Sequence, residues 1–122
     1  MSNKTIYPSS GGVVVTLKRS GTIAKGDYVK VSADDTVAAA DGATIHGISL
    51  DAGAEGIDED RISVLLLAHA VIEVTEAIGG SAAVGEYVKP HTDGTLTKDG
   101  ATKTANSVAF IINATTKKIA LI

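Results

Sequence analysis

The sequence predicts an all-β protein: a small β-barrel or β-sandwich built from an internally duplicated hairpin module, with a flexible N-terminal arm. Three observations lead there. The stretch IAKGDYVKVSADDTVAAADGAT recurs as AAVGEYVKPHTDGTLTKDGAT, with Gly26 and Gly85, Tyr28 and Tyr87, Val29 and Val88, Lys30 and Lys89, and Thr36 and Thr95 each 59 positions apart. The apolar segments are short and β-branched and are separated by Gly and Asp, which favours strands joined by tight turns. The chain of 122 residues has no Trp, one Phe and three Tyr, so its core must be made of Val, Ile, Leu and Ala. That length is one ordinary domain, able to bury roughly two thirds of its unfolded surface.

The elements follow in order. Residues 1–12, MSNKTIYPSSGG, are polar and end in Ser-Ser-Gly-Gly, so they read as a flexible arm with Tyr7 and Pro8 as its only anchors. Residues 13–122 form a single β-rich domain with two pseudo-repeats, about 21–75 and 80–122. VVVTLK (13–18) is the first strand, ended by Arg-Ser-Gly. In each repeat a Gly and an acidic residue make a turn, and Tyr-Val-Lys starts a strand with Tyr and Lys on one face and Val on the other. Asp with Asp or Gly then reverses the chain into the next strand. TIHGISL (44–50) and ISVLLLAHAVIEVT (62–75) are strands of the first half, with SVAFII (107–112) and KIALI (118–122) in the corresponding places of the second. DAGAEGIDEDR reads as a loop, because two glycines within four positions work against a helix. Two such modules are expected to pack about a pseudo-two-fold axis and close one small barrel that neither could close alone.

Charge and composition exclude several functions. Eleven Lys and Arg against fourteen Asp and Glu give a net charge of −3, with the basic residues scattered singly. No basic stripe is available for a phosphate backbone, so nucleic acid is not an expected partner. The absence of Cys removes thiolate nucleophiles, disulfides and Cys-based zinc sites. Met-Ser-Asn-Lys-Thr is followed by no apolar stretch of a secretion signal, and VLLLAHAVI (64–72) is far shorter than the roughly 20 residues of a spanning helix. No membrane partner is expected.

The motifs of hydrolases, phosphate loops, dinucleotide folds and zinc proteases are missing, so no catalytic residue, no cofactor and no metal is expected and the chain is read as not an enzyme. His46, His69 and His91 stand far apart in sequence. The acidic stretch from Asp51 through Glu55, Asp58, Glu59 and Asp60 fails the spacing of a calcium loop and reads as solvated. Asp27 and Glu86, mates under the duplication, read as turn formers and not as a catalytic carboxylate pair. Tyr28 and Tyr87 read as half-buried packing residues whose hydroxyls reach water.

The turn and strand motifs resemble those of the capsid cement, or head decoration, proteins of tailed bacteriophages. The residues that carry the resemblance are Gly26-Asp27-Tyr28-Val29, Gly47-Ile48-Ser49-Leu50 followed by Asp51-Ala52, Ile62 to Leu66, Gly85-Glu86-Tyr87-Val88, and Asp93-Gly94-Thr95-Leu96-Thr97. The likeness spans about residues 12–122 and departs from the pattern at SVAFII, where a Gly-led strand is expected. It implies a structural virion protein that forms a homotrimer, binds the major capsid protein on the outer capsid surface and resides in the host cytoplasm during assembly. Thr5, Ile6, Tyr7 and Pro8 are then the candidate contacts with the capsid or a neighbouring protomer, and Gly26, Tyr28, Gly85 and Tyr87 are the structural repeat positions. Read from the residues alone, a small β-barrel module binding carbohydrate or a host surface is the alternative.

Overall fold

The computed structural model of the chain describes residues 13–40, 42, 44–51 and 61–122. The arm expected at 1–12, with Thr5, Ile6, Tyr7 and Pro8, lies outside the described residues, as does most of the acidic stretch that follows Asp51. Ten strands and no helix are present among the described residues. They are β1 (Val13–Ser20), β2 (Tyr28–Ala33), β3 (Thr36–Ala39), β4 (Gly47–Ser49) and β5 (Arg61–Leu66), then β6 (Ala70–Glu73), β7 (Tyr87–Pro90), β8 (Leu96–Gly100), β9 (Ala109–Asn113) and β10 (Lys118–Leu121). The first five close a barrel in the order β1-β3-β2-β4-β5, and the last five form a second sheet in the order β6-β10-β9-β7-β8. The fold is all-β, as the sequence predicts.

The two sheets repeat one pairing scheme. β2 lies between β3 and β4 as β7 lies between β8 and β9, and β4 leads to β5 as β9 leads to β10. The cross-strand partners match residue for residue: Tyr28 faces Ile48 and Tyr87 faces Phe110, while Val29 faces Gly47 and Val88 faces Ala109. β1 runs antiparallel to β5 as β6 does to β10. The first copy thus begins at β1 and the second at β6.

Two sequence expectations are corrected by this arrangement. The run 62–75 is not one strand, because β5 stops at Leu66 and β6 begins at Ala70 in the other sheet. Nor do two modules jointly close one barrel. The eight residues of β1 reach both neighbours, pairing with β5 over Val13–Lys18 and with β3 over Lys18–Ser20, and so close the first half by itself. In the second half the counterpart strand is interrupted: β6 ends at Glu73, and only Gly79 returns to bridge Thr97 of β8 in parallel, where Ser20 pairs with Ala38 in the first copy.

Strand alternation sorts the side chains into two cores. Leu17, Val29, Val31, Val37, Ile62, Val64 and Leu66 fill the first barrel. Val88, Ala109, Ile111 and Ile119, with Leu96 and Leu121, form a second core on the other face of the second sheet. The first core does not stop at its barrel. It continues into Tyr87, Phe110, Ile112 and Ala120, which face outward from the second sheet and pack against the first half. An end of the barrel therefore seats on a face of the second sheet, and that contact joins the halves.

Candidate functional site

The leading loops of the two repeats show what their Gly-acid pairs do. Gly26 and Gly85 both adopt a left-handed backbone, with φ of 87° and 78°. Their N–H groups donate to the Ser49 and Ile111 carbonyls at 2.8 Å each. The following carboxylates close the loops: Asp27 Oδ2 accepts from the Ala24 N–H and Glu86 Oε1 from the Ala83 N–H, both at 2.8 Å. Glu86 also meets Lys98 Nζ at 3.2 Å. The Ala83 N–H, aided by Lys98, holds its carboxyl below the usual range. The two acids lock separate loops, as the turn reading of the sequence has it.

Duplication in sequence does not give equal burial. Tyr28 is 45% exposed, close to the half-buried residue that the sequence suggests, whereas Tyr87 is only 7% exposed and fully packed. The reason is the junction: Tyr87 lies on the face that the first half covers, and Tyr28 lies on the equivalent face of the first half, which the described residues leave partly exposed. Burial raises the Tyr87 phenol above its ordinary value.

His46 sits at the centre of this junction and is 1% exposed. Its ring stacks on Phe110 with centroids 4.4 Å apart and lies 5.8 Å from Tyr87. Its Nδ1 accepts the Val31 N–H at 2.8 Å, which places the proton of the neutral ring on Nε2. Nε2 is buried without a hydrogen-bond partner. Burial pushes the imidazole down to about 4, with the Lys30 charge adding to the shift, while the Gly85 backbone favours the charged form without reaching hydrogen-bond geometry. A neutral, stacked imidazole at this place is a packing group that also completes the β2 backbone beyond the short pairing of β2 with β4. Beside it opens a cavity of about 370 Å³, lined by Lys30, Ser32, Thr44, His46, Gly85 and Glu86 among others. Gly85 is required by the fit: a Cβ there would stand 2.8 Å from the Val31 carbonyl oxygen.

The turn between β2 and β3 fastens the other side of the junction. The Asp35 N–H donates to the Ile112 carbonyl at 3.0 Å, and the Asp35 carboxylate accepts from Asn113 Nδ2 at 2.7 Å and from Lys118 Nζ at 2.8 Å. Asp34 accepts from the Ala114 N–H at 2.9 Å and from the Thr115 hydroxyl at 2.7 Å. The Thr115 hydroxyl, then the Ala114 N–H, hold the Asp34 carboxyl below its usual value. Partial burial pushes Asp35 up, but the hydrogen bonds from Lys118 and Asn113 with the Lys118 charge outweigh it, and its net shift is downward.

The remaining residues singled out in the sequence stand apart. His69 and His91 are both exposed, and His91 lies 3.2 Å from Asp93. Asp51 Oδ2 accepts the Ser63 N–H at 3.0 Å. Among the described residues no group of three or more His, Asp or Glu side chains is placed to hold a metal ion, and no helix is long and apolar enough to cross a membrane. What sequence reasoning did not find is a row of apolar side chains on the outside of the first barrel: Val14, Leu65, Ile48 and Tyr28 lie directly opposite one another across β1, β5, β4 and β2. The signal was present, since VVVTLK and ISVLLL place apolar residues at consecutive positions, hence on both faces of a strand. No protein-family profile matches the chain, and no curated protein sequence matches it.

Proposed function

We propose that the chain is a structural protein of a tailed-phage virion that binds the outer capsid surface as a homotrimer and stabilises the shell by bridging major capsid subunits. The observation that carries this reading is the pairing of a cross-braced double β scaffold with a partly exposed apolar row, Val14–Leu65–Ile48–Tyr28, on its outer face. Protein partners are what such faces fit, because contiguous apolar surface is favourable to bury. The carboxylates of Asp27, Asp34, Asp35 and Glu86 support a scaffold role, since each is engaged in locking a loop or joining the halves. The turn and strand motifs that resemble decoration proteins support the same reading.

The physics of such a clamp is multivalent. Each protomer needs a modest interface, of about 800 Å² per partner for a specific contact. Linked copies then engage together and gain effective concentration, so weak contacts sum to a durable one. A shell held this way resists local expansion, because several contacts must break at once. A sugar-binding module would display an aromatic platform, yet Tyr87 and Phe110 are buried at the junction of the halves.

The test is a mixing experiment with undecorated heads, read by cosedimentation and electron microscopy. Regular added density on the outer surface, with heads that survive heating better than bare ones, is the expected result. Protein left wholly in the supernatant would count against the proposal.

A further inference from the structure

The outward row of the second half is formed by Tyr87, Phe110, Ala120 and Val71, directly opposite one another across β7, β9, β10 and β6. All four are packed in the larger core. Tyr28, Ile48, Leu65 and Val14 occupy the same four register positions in the first half and are apolar as well. Yet Tyr28 is 45% and Val14 50% exposed, and Ile48 and Leu65 are only partly covered. Alternation calls for polar side chains on a solvated outer face. The neighbouring outer positions of β1 and β5 obey it, with Thr16, Lys18, Arg61 and Ser63. The apolar row is thus a local departure from the face around it.

The molecule itself shows what covers such a row. In the second half it is the end of a barrel: His46 stacks on Phe110, and the Asp34–Asp35 turn reaches over to Ile112, Asn113 and Ala114. The contact is head to tail, an end of one copy on a face of the other. Among the described residues it leaves one face partly open, the row of the first half, and one end without a contact of this kind. That end belongs to the second half, where Pro90 and the turn His91–Gly94, counterparts of Val31 and the Asp34–Asp35 turn, are exposed.

We infer that the Val14–Leu65–Ile48–Tyr28 face docks a second copy of this chain, which presents the Pro90–Gly94 end of its second half and so repeats between chains the contact made within one. A head-to-tail contact of this kind closes into a ring when its rotation allows and otherwise grows into a filament. The inference deepens the self-association in the function proposed above and rests on it, but it is independent of what the assembly binds.

Sedimentation of the full chain and of a Val14→Glu/Tyr28→Ser variant tests it. Both side chains are exposed, so the variant should stay folded, with a wild-type circular dichroism spectrum and one cooperative melt. The expected result is a discrete oligomer for the wild type and a monomer for the variant. A monomeric wild type at high micromolar concentration, or a folded variant of wild-type size, overturns the inference. Geometry is read by cross-linking, since the chain has no native Cys. Ser63 and Asp93 are the counterparts of Lys118 and of Asp34, the neighbour of the Asp35 to which Lys118 donates across the internal junction, so a Ser63→Cys variant mixed with an Asp93→Cys variant should be joined by a short bismaleimide, and neither alone. Linking of Ser63→Cys to itself would indicate face-to-face pairing and overturn the head-to-tail contact. Adding each variant to undecorated heads separates the two claims: a monomeric variant that fits this outcome, beside a wild type that ignores heads, upholds the interface and removes the capsid.

Discussion

Acid should weaken this protein through one residue. The His46 imidazole titrates near 6.5 when the chain is unfolded and is pushed down to about 4 in the fold. Because the folded pKa is the lower one, the unfolded chain binds the proton first. The contribution is complete above pH 6.5 and is lost as pH falls through 4. At 1.36 kcal/mol per unit, the whole shift is worth about 3 kcal/mol, of which about 2 kcal/mol is lost between pH 7 and pH 5. The lowered carboxylates, Asp34, Asp35, Glu86, Asp99 and Asp93, the last held at about 2 chiefly by the Thr95 hydroxyl, act in the same direction but at lower pH. Their contribution is present above their unfolded values and lost in stronger acid, so the interval from pH 6.5 to 5 isolates the histidine. The assay is urea unfolding at half-unit steps from pH 7.5 to 5, on the wild type and on His46→Gln. Glutamine can still accept the Val31 N–H but does not titrate. The wild type should lose about 2 kcal/mol over the interval and the variant almost none. Equal slopes for the two proteins would refute the assignment of a buried, neutral imidazole to the junction.

The inequality of the repeats gives two further outcomes. Phe110→Ala should cost about 3–5 kcal/mol, because the ring is 1% exposed and stacked on His46, whereas Tyr28→Ala on the equivalent open face should cost less than about 1 kcal/mol; chemical denaturation of both variants measures this. Gly85→Ala should cost about 2 kcal/mol or more, since a left-handed backbone and a 2.8 Å approach to the Val31 oxygen act together, while Gly94→Ala, left-handed in open space, should cost about 1 kcal/mol; melting temperatures of the pair rank them. Asp35→Ala should lower stability by about 1 kcal/mol, a figure discounted because the Lys118–Asp35 pair is roughly one third exposed, and salt should weaken the wild type more than the variant.

The strands and their turns were legible because they depend on local chemistry. Gly26-Asp27 and Gly85-Glu86 announce left-handed turns with an acceptor beside them, and Val29 and Val88 point inward as period-two alternation requires. The partition of strands between sheets was not legible, because 62–75 contains no Gly, Pro or Asn to mark the break at Leu67–His69. Only the pairing of Ala70–Glu73 with β10 draws β6 away from β5. The burial of His46 was hidden for a related reason. Its counterpart under the repeat is Val108, whose N–H donates to the Val88 carbonyl as the His46 N–H donates to that of Val29. A sequence comparison at one fixed offset slides past that equivalence, since the loops between the strands differ in length. The difference between Tyr28 and Tyr87 could not be read from identical local motifs at all. It arises when the end of one copy covers the face of the other, a long-range contact that no window of sequence contains.

The central claim is that this double β scaffold works by assembling with itself and with other proteins, and binding to a shell measures it most directly. Purified wild-type chain is titrated onto undecorated heads assembled from the major capsid protein of the same genome, and bound protein is counted by cosedimentation and imaged by electron microscopy. Saturation at a fixed ratio to capsid subunits, with trimeric density on the outer surface, is the predicted result. Heads that stay bare at saturating protein would contradict the account.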